Sequence, residues 1–256
     1  MAERPEKPAF QARARCKSVL SGVIFLLTLG PIALKTYSTI KTYSLLLDSS
    51  SMSRRSYRQN CALARANDVI GDRWTQLLIR DLLIAPRRFN ELQASLKGIG
   101  ANLLSSRLKE LEGAGLVEHG TPASGKHRYA LTARGRAIEP ALLALIRWGL
   151  VYGPDNQPGD HHHDDWDLLA LKALFQPDRM AGEGVTVQFT DHEFSGWMAI
   201  ADGVVTIGLG EAEEPDVCVA TTIKNLFTGP GEPSGYLQAG DPETLRNFMH
   251  SFAVRV

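Results

Sequence analysis

One stretch constrains the fold more than any other: Arg88 to Ala114, RFNELQASLKGIGANLLSSRLKELEGA. Phe89, Leu92 and Leu96 recur at helical spacing, and Leu104, Leu108 and Leu111 do so again after Lys97-Gly98-Ile99-Gly100, so two short amphipathic helices are predicted, each with one apolar stripe to bury. A glycine-bearing joint of that length between them reads as a helix-turn-helix. At about 100° per residue, Asn102, Ser105, Ser106 and Lys109 fall opposite the second set of leucines. Asn, Ser and Lys can contact base edges in a major groove. The alternative is a face that meets only water.

Charge decides between those two. The whole chain is neutral, with 28 basic and 28 acidic residues. Divided along its length, residues 1–51 carry 7 basic and 3 acidic groups, residues 52–153 carry 16 and 8, and residues 154–256 carry 5 and 17. The middle third is the part with affinity for a polyanion, and the acidic third is not. At 256 residues the chain has room for two domains, each with its own core. Cys16, Cys61 and Cys218 show neither metal-ligand nor paired spacing, so no disulfide framework and no zinc site are indicated, and a reducing, cytoplasmic setting is expected.

Residues 1–51 admit three readings. Val19 to Leu34 is a mostly apolar run behind Arg13, Arg15 and Lys17, which has the shape of a short anchor although it is brief for a span. Translation could instead begin at Met52, with the repeated KTYS at 35–38 and 41–44 reflecting a repeat in upstream DNA. The third reading is disorder. No membrane partner is expected for the remainder.

After a basic arm at Ser53 to Arg58, helices are predicted over Cys61 to Ile70 and Arg73 to Ile84, hinged at Gly71-Asp72; Pro86 ends the second. Beyond the helix-turn-helix, Leu116 to Thr121 and His127 to Leu131 are β-prone runs around Pro122 to Lys126, a hairpin whose His119, Lys126, His127 and Arg128 would lie along phosphates. Thr132 should cap a helix running to about Leu150, kinked at Pro140. Its Ile138, Leu142, Leu145 and Gly149, with Trp148 alongside, form an apolar face for a second copy of the chain.

Four ordered blocks now stand out: CALARANDVIGDRWTQLLIRDLL from Cys61, RRFNELQ from Arg87, LLSSRLKELEGAGLVE from Leu103 and YALTARG from Tyr129. Together they resemble the HxlR family of winged-helix transcriptional regulators. The resemblance implies homodimers on repeated double-stranded DNA. It places Asn102, Ser105, Ser106 and Lys109 in the recognition helix and Lys126 and Arg128 in the wing. Arg107 also falls on a family motif position, and its place on the helical wheel leaves two roles open, a phosphate contact or an intramolecular clasp. Gly100 departs from the family, which commonly has Ser there, and so weakens the helix cap. Cys61 stands where some members sense oxidants or electrophiles. Arg58 and Arg65 would favour its thiolate, and the alternative is a small buried apolar side chain.

Gly153 to Asp165, GPDNQPGDHHHDD, reads as a linker over 154–165, and its His and Asp residues are adjacent in sequence, an arrangement that rarely converges on one metal ion. From Trp166 onward the pattern alternates helix and strand: a helix over Asp167 to Phe175, strands at Val185 to Phe189, Trp197 to Ala201, Val204 to Leu209 and Val217 to Thr221, and a helix capped by Asp241 with Pro242 first. This order, with WMAIADGVVTIGLG, EPDVCVATTIKNLF and GYLQAGDPETLRNFMHSF, resembles the sterol carrier protein 2 (SCP2) fold. That likeness implies an apolar pocket for a hydrophobic ligand, lined by Phe189, Trp197, Phe227, Phe248, Met249 and Phe252; the alternative is plain core packing.

The expected architecture is thus a mainly α winged helix-turn-helix domain over 52–153 followed by an α+β SCP2-like domain over 166–256. The expected function is a homodimeric, sequence-specific DNA-binding regulator that answers to a hydrophobic small molecule. A thiol-sensing regulator built on Cys61, and a lipid carrier, are the alternatives. No G-x-S-x-G, HExxH or P-loop occurs, so an enzyme is not expected, and no cofactor is called for.

Overall fold

The computed structural model describes residues 56–120, 127–180, 182, 184–229 and 231–253. The apolar run at 19–34, the KTYS repeat, Met52 and Lys126 lie outside them. Helix α1 (Ala62–Ile70) and helix α2 (Thr75–Ile84) are separated at Gly71-Asp72, where the hinge was expected. Trp74 enters α2 with a left-handed φ of 79°, a strained conformation for a bulky residue. Its ring packs on the core beside Gly98, the residue that turns the chain toward the recognition helix.

Helix α3 (Phe89–Ser95) and helix α4 (Ala101–Gly113) are the predicted pair. Leu92, Leu96, Leu104, Leu108 and Leu111 are all buried, against Leu78, Ile79 and Leu82 of α2. Five buried leucines at about 2 kcal/mol each hold the two helices down, and so their polar sides are the ones left outward. Strands β1 (Val117–Gly120) and β2 (Arg128–Leu131) pair antiparallel, with Val117 opposite Leu131. The winged-helix arrangement of the first half is complete.

Thr132 does cap, its hydroxyl accepting from the Gly135 amide at 3.1 Å. The single kinked helix expected after it is instead two: α5 (Ala133–Arg136) stops, and α6 (Glu139–Tyr152) starts with Pro140 in its first turn. Proline lacks the N–H that a helix interior needs but loses nothing in a first turn, so the chain restarts where the kink was predicted.

The second half follows the predicted order. Helix α7 (Asp164–Leu174) leads to strands β3 (Gly184–Thr190), β4 (Ser195–Ala201), β5 (Val204–Leu209) and β6 (Val217–Val219), helix α8 (Ile223–Thr228), strand β7 (Leu237–Ala239) and helix α9 (Pro242–His250). The sheet order is β5-β4-β3-β6-β7, with β3 and β6 parallel and the other neighbours antiparallel. Asp202 and Gly203 both take positive φ between β4 and β5, as a tight two-residue hairpin requires. Val185, Val187, Phe189, Met198, Ile200, Val205, Val217 and Val219 form a buried face against which α7 and α9 pack, with α8 packed on α7. The result is an α+β layer pair, as expected.

Residues 55–256 form one compact unit. The stretch before α7 is irregular, and the sheet half packs on the winged half: α7 lies against both α2 and α6. Arg147 of α6 donates to the Ala173 carbonyl at 2.8 Å, and Lys172 pairs with Glu139 at 2.6 Å. Among the described residues no helix is long and apolar enough to cross a membrane.

Candidate nucleic-acid interface

Helix α4 carries the residues expected to read bases on its outer side. Asn102 and Lys109 are exposed, Ser105 and Ser106 half-buried, and Leu104, Leu108 and Leu111 face inward, while Leu103 stays exposed. Ser106 is already occupied, its hydroxyl donating to Glu110 at 3.0 Å. Arg107 resolves between its two open roles. Its guanidinium reaches Asp72 at 2.5 Å and Glu110 at 2.6 Å, so it clasps α4 to the hinge before α2. The helical wheel could not foresee this, because Asp72 lies 35 residues away.

Arg128 is likewise engaged within the chain. It turns back onto the body, donating to the Pro86 carbonyl at 2.8 Å and pairing with Glu91 at 3.3 Å, and so anchors the wing to α3. Glu91 also accepts from the Arg88 amide at 2.8 Å, making the N-terminus of α3 the wing's foothold. On β1, exposed His119 stacks on Tyr129 with centroids 4.2 Å apart and meets the His127 ring at a tilt, 5.2 Å away.

Cys61 is exposed at the N-terminus of α1, so the buried alternative does not hold. The amides of Ala64 and Leu63 in the first turn, with a smaller contribution from Arg65, hold its thiol below the ordinary range; a helix N-terminus favours the thiolate. Cys218 is half-buried.

The six residues expected around a ligand pocket do not all meet. Phe189, Phe248 and Phe252 are buried, with rings 6.1 Å and 4.9 Å apart in sequence of contact, Phe227 stands edge-on to Phe252 at 5.8 Å, and Met249 packs beside them. Trp197 is on the opposite face of the sheet, because its neighbours Gly196 and Met198 point to the core. It lies over Gly208 of β5, where any added Cβ would sit 2.5 Å from the indole. The strand period should have revealed this, since 189 and 197 pair with 196 and 188 respectively.

Sequence reasoning missed the join between the halves altogether. Asp81 of α2 is 1% exposed, and its carboxylate accepts from Ser95 at 2.6 Å, from Arg80 at 2.9 Å and from the Trp166 indole at 3.0 Å. Arg80 lies 3.8 Å over the Trp166 ring, and His161 and His163 pack at the ring's other edges. Burial lowers the Arg80 pKa, which Asp81 partly offsets. Asp165 pairs with Arg87. An aspartate amid leucines in LLIRDLL was the one available signal, a charge on a face that had to be buried.

The HHHDD run also behaves differently from its linear reading. His162, Asp164 and Asp167 bring ligand-type atoms within 4.8 Å of one another, because the first turn of α7 stacks positions 164 and 167. They pair internally, His162 with Asp164 at 3.5 Å and with Asp167 at 3.3 Å. Burial, reinforced by Asp164, pushes the Asp167 carboxyl up to about 6, against the pull of His162.

Comparison with known proteins accounts for the first half of this geometry. Residues 69–157 match the HxlR-like helix-turn-helix family model. YvaP of Bacillus subtilis, named an HTH-type transcriptional regulator, is 36% identical over 88 residues, which cover 33% of this chain and 80% of YvaP. The chain belongs to the HxlR-like helix-turn-helix family. An HTH-type transcriptional regulator of Mycobacterium tuberculosis H37Rv is 38% identical over 95 residues, 36% of this chain, and the match spans 60% of that regulator's own length. The solved structure of quinone-bound YodB from B. subtilis is similar over 35% of this chain and 97% of YodB, at 30% identity and a TM-score of 0.32. The HxlR-like match ends before α7, so the sheet half of this HxlR-like protein lies beyond it.

Proposed function

We propose that this HxlR-like chain is a sequence-specific, DNA-binding transcriptional regulator that works as a homodimer. The observation that carries the reading is α4: Asn102 and Lys109 exposed on a helix whose opposite side is locked down by Leu104, Leu108 and Leu111. Asn102 and Lys109, flanked by Ser105, supply the donors and acceptors for base edges, while Lys126, which precedes β2 in sequence and lies outside the described residues, supplies phosphate affinity. Helix α6 supports the dimer: Leu142 and Ile138 of the expected face pack inward, but Leu145, Trp148 and Tyr152 are 49%, 60% and 71% exposed along one side, an apolar strip of the kind that meets a partner. The test is selection of bound duplexes from a random pool, followed by Asn102→Ala, Lys109→Ala and Lys126→Ala. The first two should relax sequence choice, and the third should weaken all duplexes alike and flatten the salt dependence. Equal losses on every sequence from all three would refute the assignment of α4 to the groove.

A thiol-responsive regulator is the second reading, favoured by the exposure of Cys61 and its depressed pKa. Diamide that leaves wild-type DNA binding unchanged would remove it. For the sheet half, a hydrophobic effector entering between sheet and helices would have to part the packed rings of Phe189, Phe227, Phe248 and Phe252. That packing favours a coupling role over the lipid-carrier alternative, and a hydrophobic molecule that alters DNA binding of the intact chain would restore the effector.

A further inference from the structure

The first turn of α7 touches the reader at two separate places, through adjacent residues that point apart. Trp166 donates its indole N–H to Asp81 at 3.0 Å, and the other oxygen of that carboxylate receives the Ser95 hydroxyl at 2.6 Å. Ser95 is the last residue of α3, immediately before the turn that places α4. Asp165 pairs with Arg87, and the backbone of Arg87 exchanges two hydrogen bonds with Tyr129 of β2, at 3.0 Å and 2.7 Å. One residue therefore leads to the helix-turn-helix and its neighbour to the wing.

Apolar packing alone would let α7 slide over α2 at little cost, since dispersion contacts have no direction. Buried, charge-assisted hydrogen bonds are different. They demand a fixed geometry, and misplacing either partner leaves a buried polar group unmet. Here the receiving groups are held on both sides: Asp81 by Arg80, which also stacks on Trp166 at 3.8 Å, and Arg87 by the strand pairing. A small displacement of α7 would loosen both reading elements together.

We infer that Asp165 and Trp166 are positioning residues through which the sheet half sets the reader, Trp166 acting on α3 and α4 by way of Asp81 and Asp165 acting on the wing by way of Arg87. The inference rests on the DNA-binding reading for its biological meaning, but its physical content is testable without DNA. Hydrogen exchange of the full chain would be compared for wild type, Trp166→Phe, which keeps the stacked ring but removes the donor, and Asp165→Asn. Exchange over 89–100 should quicken at least about tenfold in Trp166→Phe with 128–131 unaffected, and the reverse should hold in Asp165→Asn, as expected for loss of one hydrogen bond to a charged group. Ser95→Ala should reproduce the Trp166→Phe pattern, and the two together should add less than their sum, because both break one linkage. Unchanged exchange in both segments, or a uniform rise across the chain including β3 to β5, overturns the inference. On a selected duplex both single variants should bind at least fivefold more weakly. A wild type that binds no duplex would defeat the DNA-binding reading while leaving the exchange result to decide the linkage.

Discussion

Replacing Asp81 by Ala is the most informative single change. Its carboxylate is 1% exposed and satisfies Ser95, Arg80 and Trp166 at once. Truncation removes the counter-ion of Arg80, whose side chain is only 15% exposed, and leaves two further donors without a partner. Breaking a buried ion pair from one side costs about 3–5 kcal/mol, because the remaining charge stays desolvated. With a urea dependence of about 2 kcal/mol per molar, the unfolding midpoint should fall by about 1.5–2.5 M. Far-ultraviolet circular dichroism and the fluorescence of Trp74 and Trp166 should follow one transition. The decisive companion is the double replacement Arg80→Met with Asp81→Leu. It removes both charges and leaves no stranded cation, so it should lose less stability than Asp81→Ala alone. A single-variant loss below about 1 kcal/mol, or a double variant less stable than the single, would refute the claim that Asp81 joins the two halves electrostatically.

Trp148→Glu should weaken self-association at least thirtyfold, the scale of an interface hot spot, in sedimentation equilibrium; an unchanged mass distribution would remove α6 from the dimer contact. Cys61 should alkylate faster than Cys218 at neutral pH, with its reactivity rising at lower pH than that of a free cysteine, as peptide mass spectrometry would read; equal rates would contradict the helix-terminus effect. Asp167 sits above its unfolded pKa, at about 6, so the stability it contributes is complete below about pH 4 and lost as pH rises through 6. Asp167→Asn should therefore stabilise the protein by about 1–3 kcal/mol at pH 7.5 and be neutral below pH 4 in thermal melts, and the opposite order would sink that account. Gly100→Ser meets open space and restores a capping hydroxyl, so it should add a few tenths of a kcal/mol.

Local periodicity carried most of the fold. The leucine stripes of α3 and α4, the Thr132 cap and the Asp202-Gly203 turn depend on residues within a few positions of one another, and each appears where its spacing put it. What periodicity could not carry was partnership across the chain. Arg107 and Arg128 have the right charge for phosphates, yet Asp72 and Glu91 claim them at close range, and nothing in a helical wheel contains that information. Trp197 shows a different limit. Its size suggested a pocket, but a strand gives alternate residues to opposite faces, and Met198 had the better claim on the core. The join at Asp81 and Trp166 spans 85 positions, and only the charge inside an apolar helix hinted at it.

Helix α6 carries a consequence of its own. One flank is bolted to the sheet half by Arg147 and by Glu139 with Lys172, while the opposite flank leaves Trp148 and Tyr152 bare. If two copies meet along that bare flank, the helix becomes a common axle: the angle between the copies, and hence the separation of their two groove-reading rods on a duplex, cannot change unless both sheet halves swing with it.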